Sequence, residues 1–127
     1  MKNNNLIFLS IILFSLPISS EWVKLAKTED YVDYYVDSES IVTKGENTFF
    51  WSLADYPTPI EGLYYSAIQY VELDCSILRY RVLDVVFYEE KMAEGDSRSP
   101  EIPANYKEWQ YTVPGSAYKI VLSAVCS

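Results

Sequence analysis

Ser116 and Lys119 stand three residues apart at the start of a helix-like pattern. In serine acyl enzymes that Ser-x-x-Lys spacing puts an amine one turn from a nucleophilic hydroxyl, where it can take the proton. The same chemistry needs Ser-Asp-Asn and Lys-Thr-Gly elements, and the chain has neither. Ser116 reads instead as a helix N-cap. Gly95-Asp96-Ser97 has the outline of a nucleophile block, but serine hydrolysis needs a base, usually histidine. The chain contains no histidine, so this is read as a loop turn. Asp30, Asp33 and Asp37 cluster early, and Glu72 and Asp74 lie two apart on one strand face. A catalytic carboxylate pair needs burial and spacing that push the two acidities apart. In a chain with 18 Asp and Glu, solvated strand faces are the simpler reading. There is no EF-hand spacing, and four glycines are too few for a phosphate cradle. No catalytic residue, metal site or cofactor is expected, and the chain is not read as an enzyme.

Cys75 and Cys126 are the only cysteines. Two distant cysteines without histidine do not make a zinc site. Their context is set by the N-terminus, which has the three parts of a secretory signal. Lys2 supplies the charge, Leu6–Leu16 is almost wholly apolar, and Ser19 and Ser20 offer small residues before Glu21. That apolar run is well short of the roughly 20 residues a membrane-crossing helix needs, so residues 1–20 read as a cleaved signal peptide, not a retained anchor. Residues 21–127 then form one exported domain. In an oxidising compartment the even cysteine count reads as one disulfide, closing a loop of about 50 residues.

The domain is acidic. The chain has 10 Lys and Arg against 18 acids, a formal charge of -8, and loss of the signal removes Lys2 but no acid. Such a surface repels phosphate backbones and anionic headgroups, so nucleic acid is excluded as a partner. Twelve tyrosines and three tryptophans are the compositional oddity. Pairs such as Tyr34–Tyr35 and Tyr64–Tyr65 cannot both face inward on one strand. Some must lie on a second face, where stiff amphipathic rings are good contacts for a protein partner. Tyr64, Tyr65 and Tyr70 are the candidate binding residues.

The elements that would position these groups are mostly strands. Val32, Tyr34 and Val36 alternate within Tyr31–Asp37, Ser40–Thr43 reads as a short strand, and Thr48–Asp55 alternates again after the turn at Lys44–Asn47. Pro57, Pro59 and Gly62 mark Tyr56–Gly62 as a loop. Leu63–Cys75 and Ser76–Glu90 read as two long strands, the second with a β-bulge at Asp84 where its apolar phase slips. Lys91–Tyr106 reads as a mobile surface loop, and Trp109–Val113 as an extended segment ended by Pro114–Gly115. In the last segment Ala117, Ile120, Val121, Ala124 and Val125 share a helical face. A strand face of Tyr118, Ile120, Leu122 and Ala124 is the alternative; the cap at Ser116 favours the helix. The fold class is α+β: an antiparallel sheet of about six strands with one C-terminal helix packed on a face.

In order, these pieces resemble the surface-adhesin protein E family of small exported bacterial proteins. The resemblance rests on Trp22, on Tyr34-Tyr35-Val36-Asp37 with Ser40-Ile41, and on Glu72-Leu73-Asp74-Cys75. It continues through Met92-Ala-Glu-Gly95, Trp109, Pro114-Gly115-Ser116 and Val125-Cys126. It implies a sheet tied to a C-terminal helix by the disulfide. It also implies a surface or periplasmic adhesin that self-associates, here as a homodimer, and binds host matrix proteins such as vitronectin and laminin. Two features depart from the pattern: there is no lipidation cysteine, and the loops are acidic or mixed where the founding adhesin's binding segment is rich in lysine. The competing reading is a periplasmic envelope protein with a structural or accessory partner-binding role.

Overall fold

The computed structural model describes residues 22–127; the signal-peptide reading of residues 1–20 lies outside them. Eight antiparallel strands form one sheet: β1 (Trp22–Lys27), β2 (Asp33–Asp37), β3 (Val42–Lys44), β4 (Asn47–Ile60), β5 (Tyr64–Asp74), β6 (Arg79–Tyr88), β7 (Ser97–Arg98) and β8 (Gln110–Tyr111). One helix, α1 (Ala117–Cys126), closes the chain. The strand order is β1-β2-β4-β5-β6-β7, with β3 alongside β4 and β8 alongside β6. The count exceeds the expected six partly because β7 and β8 are two-residue additions to the outer edge of β6. The alternation of Phe50, Ser52 and Ala54 with Trp51 and Leu53 does what period two requires, giving the sheet two distinct faces.

Helix α1 covers the β1–β2 side of one face. Val121 and Leu122 are fully buried and join Val36, Phe50, Val71 and Leu73 in the core, with Leu25, Tyr118 and Val125 packed around it. Ser116 caps the helix: its hydroxyl accepts the Lys119 N–H at 3.3 Å, so the Ser-x-x-Lys pair is a capping device. The helix reading of this segment holds. Cys126 on the last turn bonds Cys75 at the end of β5, with the two Cα atoms 5.7 Å apart.

Several boundaries differ from the sequence reading. Ser40 does not begin a strand: Asp37 caps a 3-10 turn at Ser38–Ser40 by accepting the Glu39 N–H. The Ser40 hydroxyl then accepts the Trp51 N–H at 2.9 Å, serving β4 in the gap between its neighbours β2 and β3. The stretch Tyr56–Ile60 is not a loop but a continuation of β4 through both prolines. Proline is tolerated there because the ladder skips from Asp55↔Ser66 to Ile60↔Tyr64, so neither Pro57 nor Pro59 owes a hydrogen bond to β5. Ser76–Leu78 is a turn, closed where Ser76 N–H and hydroxyl both reach Asp74 Oδ1, and β6 starts at Arg79. The bulge at Asp84 is present: Tyr70 pairs with Asp84 and Val71 with Val82, leaving Leu83 extra. That single residue returns Val85 to the helix side of the sheet, where it is buried.

Candidate functional site

Two surfaces bring the aromatic residues together, one on each face of the sheet. On the helix-free face, Trp51 of β4 and Tyr70 of β5 are register partners with ring centroids 5.0 Å apart. Phe49, two residues before Trp51 on β4, also stacks with Tyr70 at 6.2 Å. The strip is half-buried and bordered by charge. Arg81 Nε donates to Glu72 at 2.8 Å, Asn47 holds the other Glu72 oxygen, and Arg79 pairs with Asp74 at 3.0 Å. Trp109 lies over both guanidinium groups at 4.4 and 4.5 Å, and the Lys44 ammonium sits 5.6 Å from the Phe49 ring. Glu72 and Asp74 are thus each taken up by an arginine. Asp33 is likewise held by Lys24 and Lys27.

Of the three tyrosines singled out in the sequence, only Tyr70 belongs to this strip. Tyr64 is 8% exposed and packs against Phe87. Tyr65 is exposed, but it lies five residues from Tyr70 on the same strand, hence about 17 Å away and on the opposite face. Phe49, Trp51 and Trp109 were not singled out. Their alternation was visible, but the partner of Trp51 depends on the β4–β5 register.

On the other face α1 leaves the β4–β5–β6 side open, and there the floor is made of small residues. Ser52, Ala54 and Ala67 point toward the helix side but do not fill the space beside Tyr118, and a hollow of about 200 Å³ remains, with Gln69 on its edge. Its walls are four phenols from four elements: Tyr34 of β2, Tyr56 of β4, Tyr80 of β6 and Tyr118 of α1. Tyr118 meets Tyr34 edge-on at 5.7 Å and Tyr80 at 5.1 Å, and it shares a hydrogen bond with Ser52. Gln69 and Tyr80 also line a second hollow of about 260 Å³, completed by Val82, Tyr106 and Gln110. Burial makes these phenols harder to ionise. It raises Tyr34 and Tyr80 above the usual tyrosine value and pushes Tyr56 up to about 12, where the neighbouring Tyr34 and Tyr106 add to the effect. They are neutral donors at any physiological pH. A signal for this cleft existed in the small residues Ser52, Ala54 and Ala67 at helix-side positions of long strands.

The first part of the Lys91–Tyr106 stretch, as far as Arg98, is tied down where the sequence suggested a mobile loop. Met92 and Ala93 both have left-handed backbone, φ 58° and 59°, which is uncommon outside glycine. Two buried side chains hold them there: Asp55 accepts the Met92 N–H at 2.8 Å and Ser66 Oγ accepts the Ala93 N–H at 3.0 Å. Ser66 in turn donates to the Glu90 carbonyl, and Glu89 N–H bonds the Asp96 carbonyl, so Gly95 and Asp96 lie in a bend and Ser97 opens β7. Burial raises the Asp55 carboxyl above its ordinary value despite the Met92 N–H and the nearby Lys91. With the folded value raised, the folded state holds a proton that the unfolded state has lost, and stability falls as pH rises through that window. Asp55→Asn keeps an acceptor for Met92 and removes the buried charge. It should be more stable than the wild type at neutral pH, with the gap closing as pH falls below the raised Asp55 value, measured by urea unfolding across a pH series. A variant less stable than the wild type at neutral pH, with the deficit vanishing in acid, would show that the charge itself holds the turn.

Among the described residues, no group of three or more acidic, cysteine or histidine side chains could hold a metal ion, and no helix is long and apolar enough to cross a membrane. An antiparallel sheet bridged by a disulfide to one terminal helix, with aromatic residues gathered on both faces, defines a small α+β domain built around surfaces. The chain belongs to the surface-adhesin protein E family, whose sequence profile matches residues 22–127. Among solved structures it is similar to crystal form II of Haemophilus influenzae protein E, with a TM-score of 0.65 and 22% identity over 87% of this chain and 90% of that one. A second structure of Haemophilus influenzae protein E gives a TM-score of 0.62 at 21% identity, covering 87% and 86%. Protein E from non-typeable Haemophilus influenzae gives 0.60 at 23%, covering 87% and 78%. At these identities the likeness is one of fold. No curated protein matches the chain at a significant level.

Proposed function

We infer that the chain is an exported, non-catalytic binding module, a surface adhesin that holds a host matrix protein on the strip formed by Phe49, Trp51 and Tyr70. The observation that carries this reading is the family match over residues 22–127. The strip supplies a physical means. Stacked aromatic rings form a stiff apolar centre, and the paired charges of Glu72, Arg81, Asp74 and Arg79 form a polar rim. That is the arrangement by which a few aromatic anchors carry most of an interface's affinity. The acidic net charge favours a basic partner and repels polyanions such as heparin.

The test is surface plasmon resonance of the mature domain over immobilised vitronectin and laminin. Trp51→Ala should weaken binding by roughly thirtyfold, the ~2 kcal/mol of an aromatic anchor, and Tyr70→Ser by roughly tenfold. Raising salt should slow association more than it speeds dissociation, because steering is screened and buried ring contacts are not. If both variants bind as the wild type does, while shortening the Gly95–Asn105 loop abolishes binding, the strip is the wrong surface. If protease shaving of intact cells leaves the protein whole, the periplasmic accessory role replaces the adhesin reading.

A further inference from the structure

We propose that the tyrosine-walled cleft on the helix side of the sheet is a second binding site, and that its ligand is a neutral saccharide. Three properties of the cleft select that class.

The first is charge. No lysine, arginine, aspartate or glutamate lines either hollow. In a chain with a formal charge of -8, an anionic ligand would meet repulsion without a compensating cation, and a cationic ligand would find no carboxylate to pair with. The ligand is uncharged.

The second is the kind of polar group presented. Phenol and serine hydroxyls and glutamine amides each donate and accept. Tyr34, Tyr56 and Tyr80 converge on one hollow, and among the described residues none of the three has a side-chain hydrogen bond, whereas Tyr118 is engaged with Ser52. Partly buried hydroxyls without protein partners select a ligand that brings several groups able both to accept and to donate. A sugar ring does this in every equatorial direction. An extended proline-rich peptide, the other familiar guest of aromatic grooves, offers carbonyl acceptors but few donors, and would leave the Gln69 and Gln110 carbonyl oxygens unmatched.

The third is shape. Flat rings wall a floor of small side chains, so an aliphatic ring face can lie against the phenols while its hydroxyls reach the edges. At about 200 and 260 Å³ each hollow is below the roughly 300–1,000 Å³ of sites for drug-sized ligands. Each takes a unit of about one sugar ring, and because the two share Gln69 and Tyr80, a linear saccharide can run through both.

The site lies on the opposite face from the Phe49–Trp51–Tyr70 strip, so it stands or falls separately from the matrix-protein reading. The test uses the mature domain on an array of neutral oligosaccharides, free of sialic acid and sulfate, with a proline-rich peptide and heparin fragments as comparison probes. The strongest neutral oligosaccharide is then titrated by calorimetry against Tyr56→Phe, Tyr80→Phe and Gln69→Leu. The Phe variants remove one oxygen each and keep the ring, so the fold is preserved and a melting curve confirms it. Each of the three should weaken binding about tenfold, as sites built to hydrogen-bond hydroxyls do when a partner is lost, while Trp51→Ala leaves it unchanged. Failure of every neutral oligosaccharide to bind overturns the proposal. So does binding that the cleft variants leave intact, or tighter binding of the proline-rich peptide or heparin fragments.

Discussion

Replacing Cys126 with Ser should lower the unfolding free energy of the folded domain by about 2–5 kcal/mol. The bridge spans 51 residues, a long loop whose closure strongly restricts the unfolded chain. It also has a local task. Helix α1 is ten residues long, and isolated helices shorter than about 12–15 residues are marginal in water. Its persistence depends on what it is fastened to: Val121 and Leu122 in the core, and Cys126 on Cys75. Cys75→Ser should cost the same, and the double replacement no more than either single one, because all three remove one bond. Urea unfolding followed by tryptophan fluorescence measures this. A loss under about 1 kcal/mol would show that the helix holds without the bridge.

Phe50→Ala should cost about 3–5 kcal/mol, the range for emptying an aromatic site in a packed core. Phe50 is 0% exposed, pairs with Val71 across β4–β5, and belongs to the cluster that receives Val121 and Leu122. Its chain neighbour gives the contrast. Trp51 points to the helix-free face, so Trp51→Ala should alter partner binding far more than stability. In a Cys126→Ser background the cost of Phe50→Ala should shrink, because both changes loosen one cluster and neighbouring losses do not add. Strict additivity would mean that helix and sheet are secured independently.

What the sequence disclosed followed from local periodicity. The alternation in Thr48–Asp55, the phase slip at Leu83–Asp84 and the capped pattern from Ser116 are each readable within a dozen residues, and each is present in the fold. What it concealed depends on pairing. Strand β1 was not legible because its ladder with β2 shifts between Lys24 and Ala26, which breaks the alternation of WVKLAK. The Trp51–Tyr70 pair was hidden by a different irregularity. Counting outward from Ile60↔Tyr64 would set Trp51 opposite Leu73, and only the slip between Asp55 and Ile60 brings Tyr70 there. The cleft was further out of reach, since its four phenols come from four elements and meet only after the sheet has twisted and the helix has docked. The aromatic surplus was legible as a quantity; its division between two faces was not.

The position of the disulfide also decides how the domain carries mechanical load. Tension applied beyond α1 passes from Cys126 through the two sulfurs into the end of β5 and bypasses everything between. Drawn out straight, that 51-residue span would measure about 170–180 Å at 3.3–3.6 Å per residue, and none of it can be released while the bond is intact. Extension is confined to β1 through β5, whose long antiparallel ladders must open before the chain lengthens. Under tension the domain can therefore lengthen only through its first half, and the disulfide-closed second half adds nothing to its reach.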